Sequence, residues 1–150
     1  MKPSQVRSHV LADHERLRGL LRSLEQAGRR ALGPGEPEAS ALRGEAEAFL
    51  VRLRQHMEWE DRYLRTALLE ADAWGGERAR YLDDGHREQR ELLDFLLGVV
   101  VDPSRPVDLV ARNVLDLVAL VRGDMIEEER WLLDARVLRD DVISIDGESG

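Results

Sequence analysis

Leu53-Arg54-Gln55-His56-Met57-Glu58-Trp59-Glu60-Asp61-Arg62-Tyr63-Leu64 sets a histidine and a glutamate four residues apart on a line that otherwise carries leucine. Side chains at i and i+4 share one face of an α-helix, so His56 and Glu60 point the same way as Leu53 and Leu64, with Tyr63 beside them. An apolar stripe interrupted by two polar groups is more informative than the stripe itself. The stripe continues outward through Leu42, Ala46, Phe49 and Ala67, which predicts a helix from about Pro37 to Ala73, with Pro37 suited to its first turn.

Three further segments carry the same periodicity between short breaker clusters. The first spans about Ser4 to Leu32, with Val6, Val10, Leu17, Leu21 and Leu24 in line, and Gly33-Pro34-Gly35-Glu36-Pro37 closes it. Gly75-Gly76 is expected to stop the second. The third, about Glu77 to Val101, uses Leu82, Leu93, Leu96 and Val100 and closes at Asp102-Pro103. The fourth, about Pro106 to Leu138, uses Val107, Val110, Val114, Leu117, Val121, Trp131 and Ala135. No segment reads as a strand. Long helices joined by short loops, each with one narrow apolar edge, predict an all-α, antiparallel up-down-up-down four-helix bundle over residues 1–139. Residues 140–150 break the pattern. Val142-Ile143-Ser144-Ile145 is apolar within an acidic tail, read as a frayed or docking segment, with a protein partner as the alternative to ordinary disorder.

Every helix sends a metal-capable side chain toward the same axis. His14 falls in the series Val6, Val10, Leu17, Leu21; His56 and Glu60 fall between Leu53 and Leu64; His86 follows Leu82; Asp124 and Glu128 lie between Val121 and Trp131. If stripe positions are roughly two in seven, placing three of the chain's 4 histidines there on three helices has odds of roughly a few per cent. Height agrees, because a tight hairpin sets His14 and His56 at a similar level. Taken singly, a histidine on a stripe is more often a satisfied core residue. The His56–Glu60 pair alone reads equally well as an ordinary helix contact, and Asp124–Glu128 as part of a surface run with Glu127 and Glu129. The convergence of all four helices favours metal. His9, five residues from His14, lies off the stripe and is read as solvated.

Charge balance sharpens the reading. Three inward carboxylates left uncompensated would consume most of the roughly 5–15 kcal/mol that stabilises a domain. Two divalent ions bring four positive charges against three negative side chains, whereas one leaves the centre negative. Imidazole and carboxylate suit iron, manganese or zinc, and residue type alone does not choose among them.

Composition removes other classes. The net charge is −8, with arginines interleaved among acids, so no basic face for nucleic acid is evident. No cysteine is present, which excludes disulfides, thiolate zinc and cysteine-ligated clusters. No stretch approaches a membrane span, and Met1-Lys2-Pro3-Ser4 lacks the apolar run of a signal peptide, so a cytoplasmic location is expected.

A lone histidine, then His-x-x-x-Glu, a lone histidine and a final x-x-x-Glu on successive helices resembles the hemerythrin-like (HHE) cation-binding domains. The resemblance is carried by Ala12-Asp13-His14-Glu15, His56-Met57-Glu58-Trp59-Glu60, His86-Arg87-Glu88 and Asp124-Met125-Ile126-Glu127-Glu128, and covers about Val6 to Leu138. It implies two irons bridged by Glu60 and Glu128 and by oxygen or hydroxide, with His14, His56, Glu60, His86, Asp124 and Glu128 as the metal residues. Two positions depart from the pattern. Asp124 stands where the fourth motif's histidine would be, and Arg90 occupies the position one turn after His86. Three imidazoles and three carboxylates come closer to the shells of ferritin-like di-iron proteins, and anionic ligands weigh against a reversible oxygen carrier. The function implied is binding or sensing of oxygen, peroxide or nitric oxide. The alternatives are an oxidase or peroxidase at the same centre, iron storage or iron-dependent regulation, and a metal-free scaffold.

Overall fold

The computed structural model describes residues 1–34 and 39–141, and among these the regular structure is entirely helical. Helix α1 spans Pro3–Leu32 and α2 spans Ala39–Trp59. A π-helical segment, Glu60–Leu64, joins α2 without a break to α3, Arg65–Ala71. Helix α4 spans Gly75–Val101 and α5 spans Val107–Trp131. With α2, the π segment and α3 taken as one column, the chain is the expected four-helix bundle.

Side-chain pairs show that neighbouring columns are antiparallel. Asp13 meets His56, while Leu20 and Leu24 face Ala48 and Phe49, so α1 and α2 run oppositely. Arg54 pairs with Asp94 and Arg65 with Asp83, which does the same for the second column and α4. Arg18 pairs with Glu129 and Arg122 with Glu25 between α1 and α5.

The apolar interior is divided. One cluster packs Leu17, Leu21, Leu53, Leu93, Leu117 and their neighbours at the end where α1 closes and α2 opens. A second, at the opposite end, packs Val6, Val10, Leu64, Leu68, Leu82, Leu132, Leu133 and Leu138. Between them lies a buried polar layer: Asp13, His14, His56, Glu60, His86 and Gln89. Arg43 of α2 donates to the carbonyl of Val100, which the end of α4 leaves without a helical partner, and to those of Asp102 and Arg105 in the loop that follows, at 2.7–3.0 Å.

Three expectations are corrected. The fourth helix ends at Trp131, about seven residues early, and Trp131 and Ala135 are exposed, Trp131 at 58%. The helix closes where the Leu132 and Leu133 amides both bond to the Glu128 carbonyl, at 2.8 and 3.1 Å, and the two leucines of this turn are buried. Gly75-Gly76 opens α4 rather than merely ending the helix before it. A Cβ at Gly75 would stand 2.3 Å from the Leu68 carbonyl oxygen, so the corner requires glycine. His9 is not solvated: it is half-buried and stacks on Trp59 with ring centroids 3.7 Å apart. Residues 142–150, which include the Val142–Ile145 motif, lie outside the described residues.

Candidate metal centre

His14, His56, Glu60 and Glu128 each offer one ligand atom, and these atoms lie within 4.8 Å of one another. The rings of His14 and His56 are 5.1 Å apart between centroids. Glu60 sits between two imidazoles: its Oε1 is 2.7 Å from His56 Nε2 and 3.3 Å from His86 Nε2. Glu128 Oε1 lies 3.2 Å from His14 Nε2, at an angle that makes no hydrogen bond. The π segment begins at Glu60. Its wider turn directs both Glu60 and the next residue, Asp61, toward α4, a common use of π turns at functional sites.

Two of the six residues expected at the centre stand outside the group of four: His86, which still reaches Glu60, and Asp124. Asp124 is half-buried, and its Oδ2 accepts a hydrogen bond from Gln89 Nε2 at 2.7 Å. A cavity of about 300 Å³ between α4 and α5 is lined by Asp124, Gln89, His86 and Glu128, with Tyr81 and Gly85 also on its wall.

Behind the imidazoles is a layer that the sequence reading missed. Each histidine presents Nε2 to the centre and Nδ1 to a carboxylate from the neighbouring column: His56 to Asp13 at 2.5 Å, His86 to Asp61 at 2.6 Å, and His14 to Glu129 at 3.3 Å. Each of these carboxylates is also held by an arginine one turn from the histidine, Arg52, Arg90 and Arg18 respectively. A carboxylate on Nδ1 fixes the tautomer that leaves Nε2 free to ligate.

The electrostatics follow from burial and these contacts. The bond from His56 holds the Asp13 carboxyl down at about 2. Burial disfavours charge on His56, yet the negative charge of Glu60 and the bond to Asp13 outweigh it and raise that imidazole to about 9. Burial lowers His14. For His86, burial is outweighed by Glu60 and Asp61, and the net shift is upward. Burial, reinforced by the charge of Glu60, pushes the Glu128 carboxyl well above the ordinary range; Glu60, despite its own burial, is held well below it by Glu128, His56 and His86. Without a cation, Glu128, His56 and His86 hold protons more tightly than usual, and Asp13, Glu60 and His14 less tightly.

Whether the layer suits a metal is decided by its unpaired atoms. Among the described residues, His14 Nε2, Glu60 Oε2 and Glu128 Oε1 are buried and have no hydrogen-bond partner. Buried polar atoms are rarely left so, and here all three are good ligand atoms for a borderline cation, converging on one point. The donor set fits.

An all-helical bundle whose four columns all supply a buried histidine–carboxylate layer defines a metal-binding helical bundle. A family model described as the hemerythrin HHE cation binding domain matches residues 6–136, and the chain belongs to that family. Membership assigns cation binding to it. No curated protein and no solved structure matches the chain. Among the described residues, no helix is long and apolar enough to cross a membrane.

Proposed function

We propose that the chain carries a non-haem di-iron centre at which it binds or senses a small oxidant or diatomic ligand: oxygen, peroxide or nitric oxide. The observation that carries this reading is Glu60 lying between His56 and His86 while Glu128 faces His14, which provides two neighbouring positions joined by two carboxylates. His14 and His56 would serve one position and His86 the other, with Asp124 completing the second from the cavity side. When bound, the iron pair supplies reversible one- and two-electron chemistry toward such ligands.

The chain's own residues do the rest. Asp13, Asp61 and Glu129 orient the imidazoles, and Arg52, Arg90 and Arg18 hold those three carboxylates in place. The apolar clusters above and below keep bulk water from the layer. The cavity against His86 and Glu128 holds about 300 Å³, ample for a diatomic molecule or peroxide.

Protein purified without added metal, and then reconstituted anaerobically with iron(II), should hold nearly two metals per chain and develop an absorption spectrum that changes on admitting oxygen or nitric oxide. Less than half an equivalent bound would count decisively against the centre. Steady-state consumption of peroxide would move the assignment to the oxidase or peroxidase alternative, because a binder or sensor reacts once per centre.

A further inference from the structure

The four seams between columns are not closed alike at the level of the polar layer. Asp13 with His56 and Arg52 clasps α1 to α2; Asp61 with His86 and Arg90 clasps the π segment to α4; Glu129 with His14 and Arg18 clasps α5 to α1. Among the described residues, the α4–α5 seam has no ion-pair clasp. One amide–carboxylate hydrogen bond, Gln89 to Asp124, spans it, and the 300 Å³ cavity opens there. The cavity ends on His86 and on Glu128, whose Oε1 is buried without a partner. Its wall carries Asp84, Glu88, Asp124 and Glu127 as well, and no lysine or arginine. Asp84 has Arg87 at 3.3 Å and Glu127 has Arg130 at 4.0 Å, both outside the wall, whereas Glu88 and Asp124 are paired with no cation among the described residues.

Resting on the metal-centre reading, we propose that divalent cations reach the centre through the α4–α5 cavity, with the Gln89–Asp124 bond as its latch. A concave wall of one sign in a low-dielectric cleft concentrates the opposite charge. A cation arriving there meets the exposed Asp84 and Glu88, displaces the Gln89 amide from the half-buried Asp124, and passes to Glu128 and His86. The other three seams would each have to break an ion pair to admit it. This also gives Asp124 its aspartate: a short carboxylate one turn before Glu128 is a good transfer point.

Gly85 provides a clean plug. It lies on the cavity wall, a Cβ there meets nothing within 4 Å, and replacing a glycine inside α4 favours the helix. Gly98, also in α4 with open space around it but away from the cavity, is the control. Metal-free full-length protein would be mixed with cobalt(II) alone, and binding followed by its visible absorption; release would be followed after adding excess chelator. Gly85→Leu should slow loading and release about tenfold each, leaving the final stoichiometry and the affinity unchanged, while Gly98→Leu matches the parent. Glu88→Gln should slow loading and flatten its dependence on salt. Equal rates in parent and Gly85→Leu, with normal final binding, would overturn the route and leave the metal centre standing. No cobalt bound by the parent would overturn both.

Discussion

Asp13 divides its two oxygens between helices. Oδ2 takes His56 at 2.5 Å, and Oδ1 takes Arg52 of α2 and Arg16 of its own helix at 2.6 and 3.3 Å. Substituting asparagine keeps the size but gives a weaker acceptor and removes the charge that fixes His56. Loss of such an outer partner typically costs about 10–100-fold in metal affinity, so Asp13→Asn should weaken binding by that order in a chelator competition while the helical circular dichroism is kept. An unchanged affinity would reduce Asp13 to a helix-to-helix tie. Asp124 poses the opposite question, since its carboxylate is already occupied by Gln89. Asp124→Ala should lower stoichiometry from about two toward one, because His14, His56, Glu60 and Glu128 still define the first position; Glu60→Ala, removing the group shared by His56 and His86, should lose both. Metal analysis giving two equivalents in Asp124→Ala would strike Asp124 from the ligands.

The ligands on the stripes were legible because a histidine or carboxylate among leucines is an anomaly that burial makes expensive. The carboxylates behind them were not. Asp13, Asp61 and Glu129 each sit next to a ligand in sequence and, in a chain with 30 acids, look like ordinary solvated ones. Their signal lay in the arginines. His14 and Arg18, Arg52 and His56, and His86 and Arg90 repeat one four-residue spacing, and a histidine and arginine on one face call for an anion between them. Arg90 reads from sequence only as a missing histidine; in the fold it holds Asp61.

Among the elements, the four columns follow from apolar periodicity, but their irregular points do not. Glu60-Asp61-Arg62-Tyr63-Leu64 contains no glycine or proline, and nothing local forces a π turn there. It arises from what Glu60 and Asp61 must reach. The turn into α4 depends on one atom. Gly75→Ala would put a methyl group 2.3 Å from the Leu68 carbonyl oxygen and 2.9 Å from Leu69 Cα, backbone that cannot step aside. The expected loss is about 2–3 kcal/mol, by analogy with overpacking, and a melting temperature lower by roughly 5–10 °C. Gly76→Ala, next along and in open space, should be neutral or stabilising by up to about 1 kcal/mol through helix propensity. Thermal unfolding of the two variants side by side tests the corner, and equal melting temperatures would refute it.

For the molecule as a whole, a layer of ionisable groups separates two apolar clusters, so the bundle's stability is tied to what neutralises that layer. Bound cations add stability that grows with the logarithm of their free concentration relative to Kd, about 2.7 kcal/mol at a hundredfold excess, which for a chain of 150 residues is roughly 5–10 °C in melting temperature. Stripping metal with a chelator should lower the transition by at least that much, because the unpaired His14 Nε2, Glu60 Oε2 and Glu128 Oε1 are then left buried without a ligand. Generic stabilisation by any surface-bound ion would look the same in that one experiment, so a second readout is needed. Glu128→Gln removes a carboxylate that burial and Glu60 already push toward its protonated form, and gives Glu60 a permanent amide donor in its place. In the metal-free protein this substitution should therefore raise the melting temperature. In the loaded protein it should lower it, because an amide is a poor ligand. The gap between the two states closes from both sides. A shift of the same sign in both states would mean that Glu128 acts through packing alone. An unchanged curve after verified metal removal would mean that the layer is balanced by its own protons and does not need the cation.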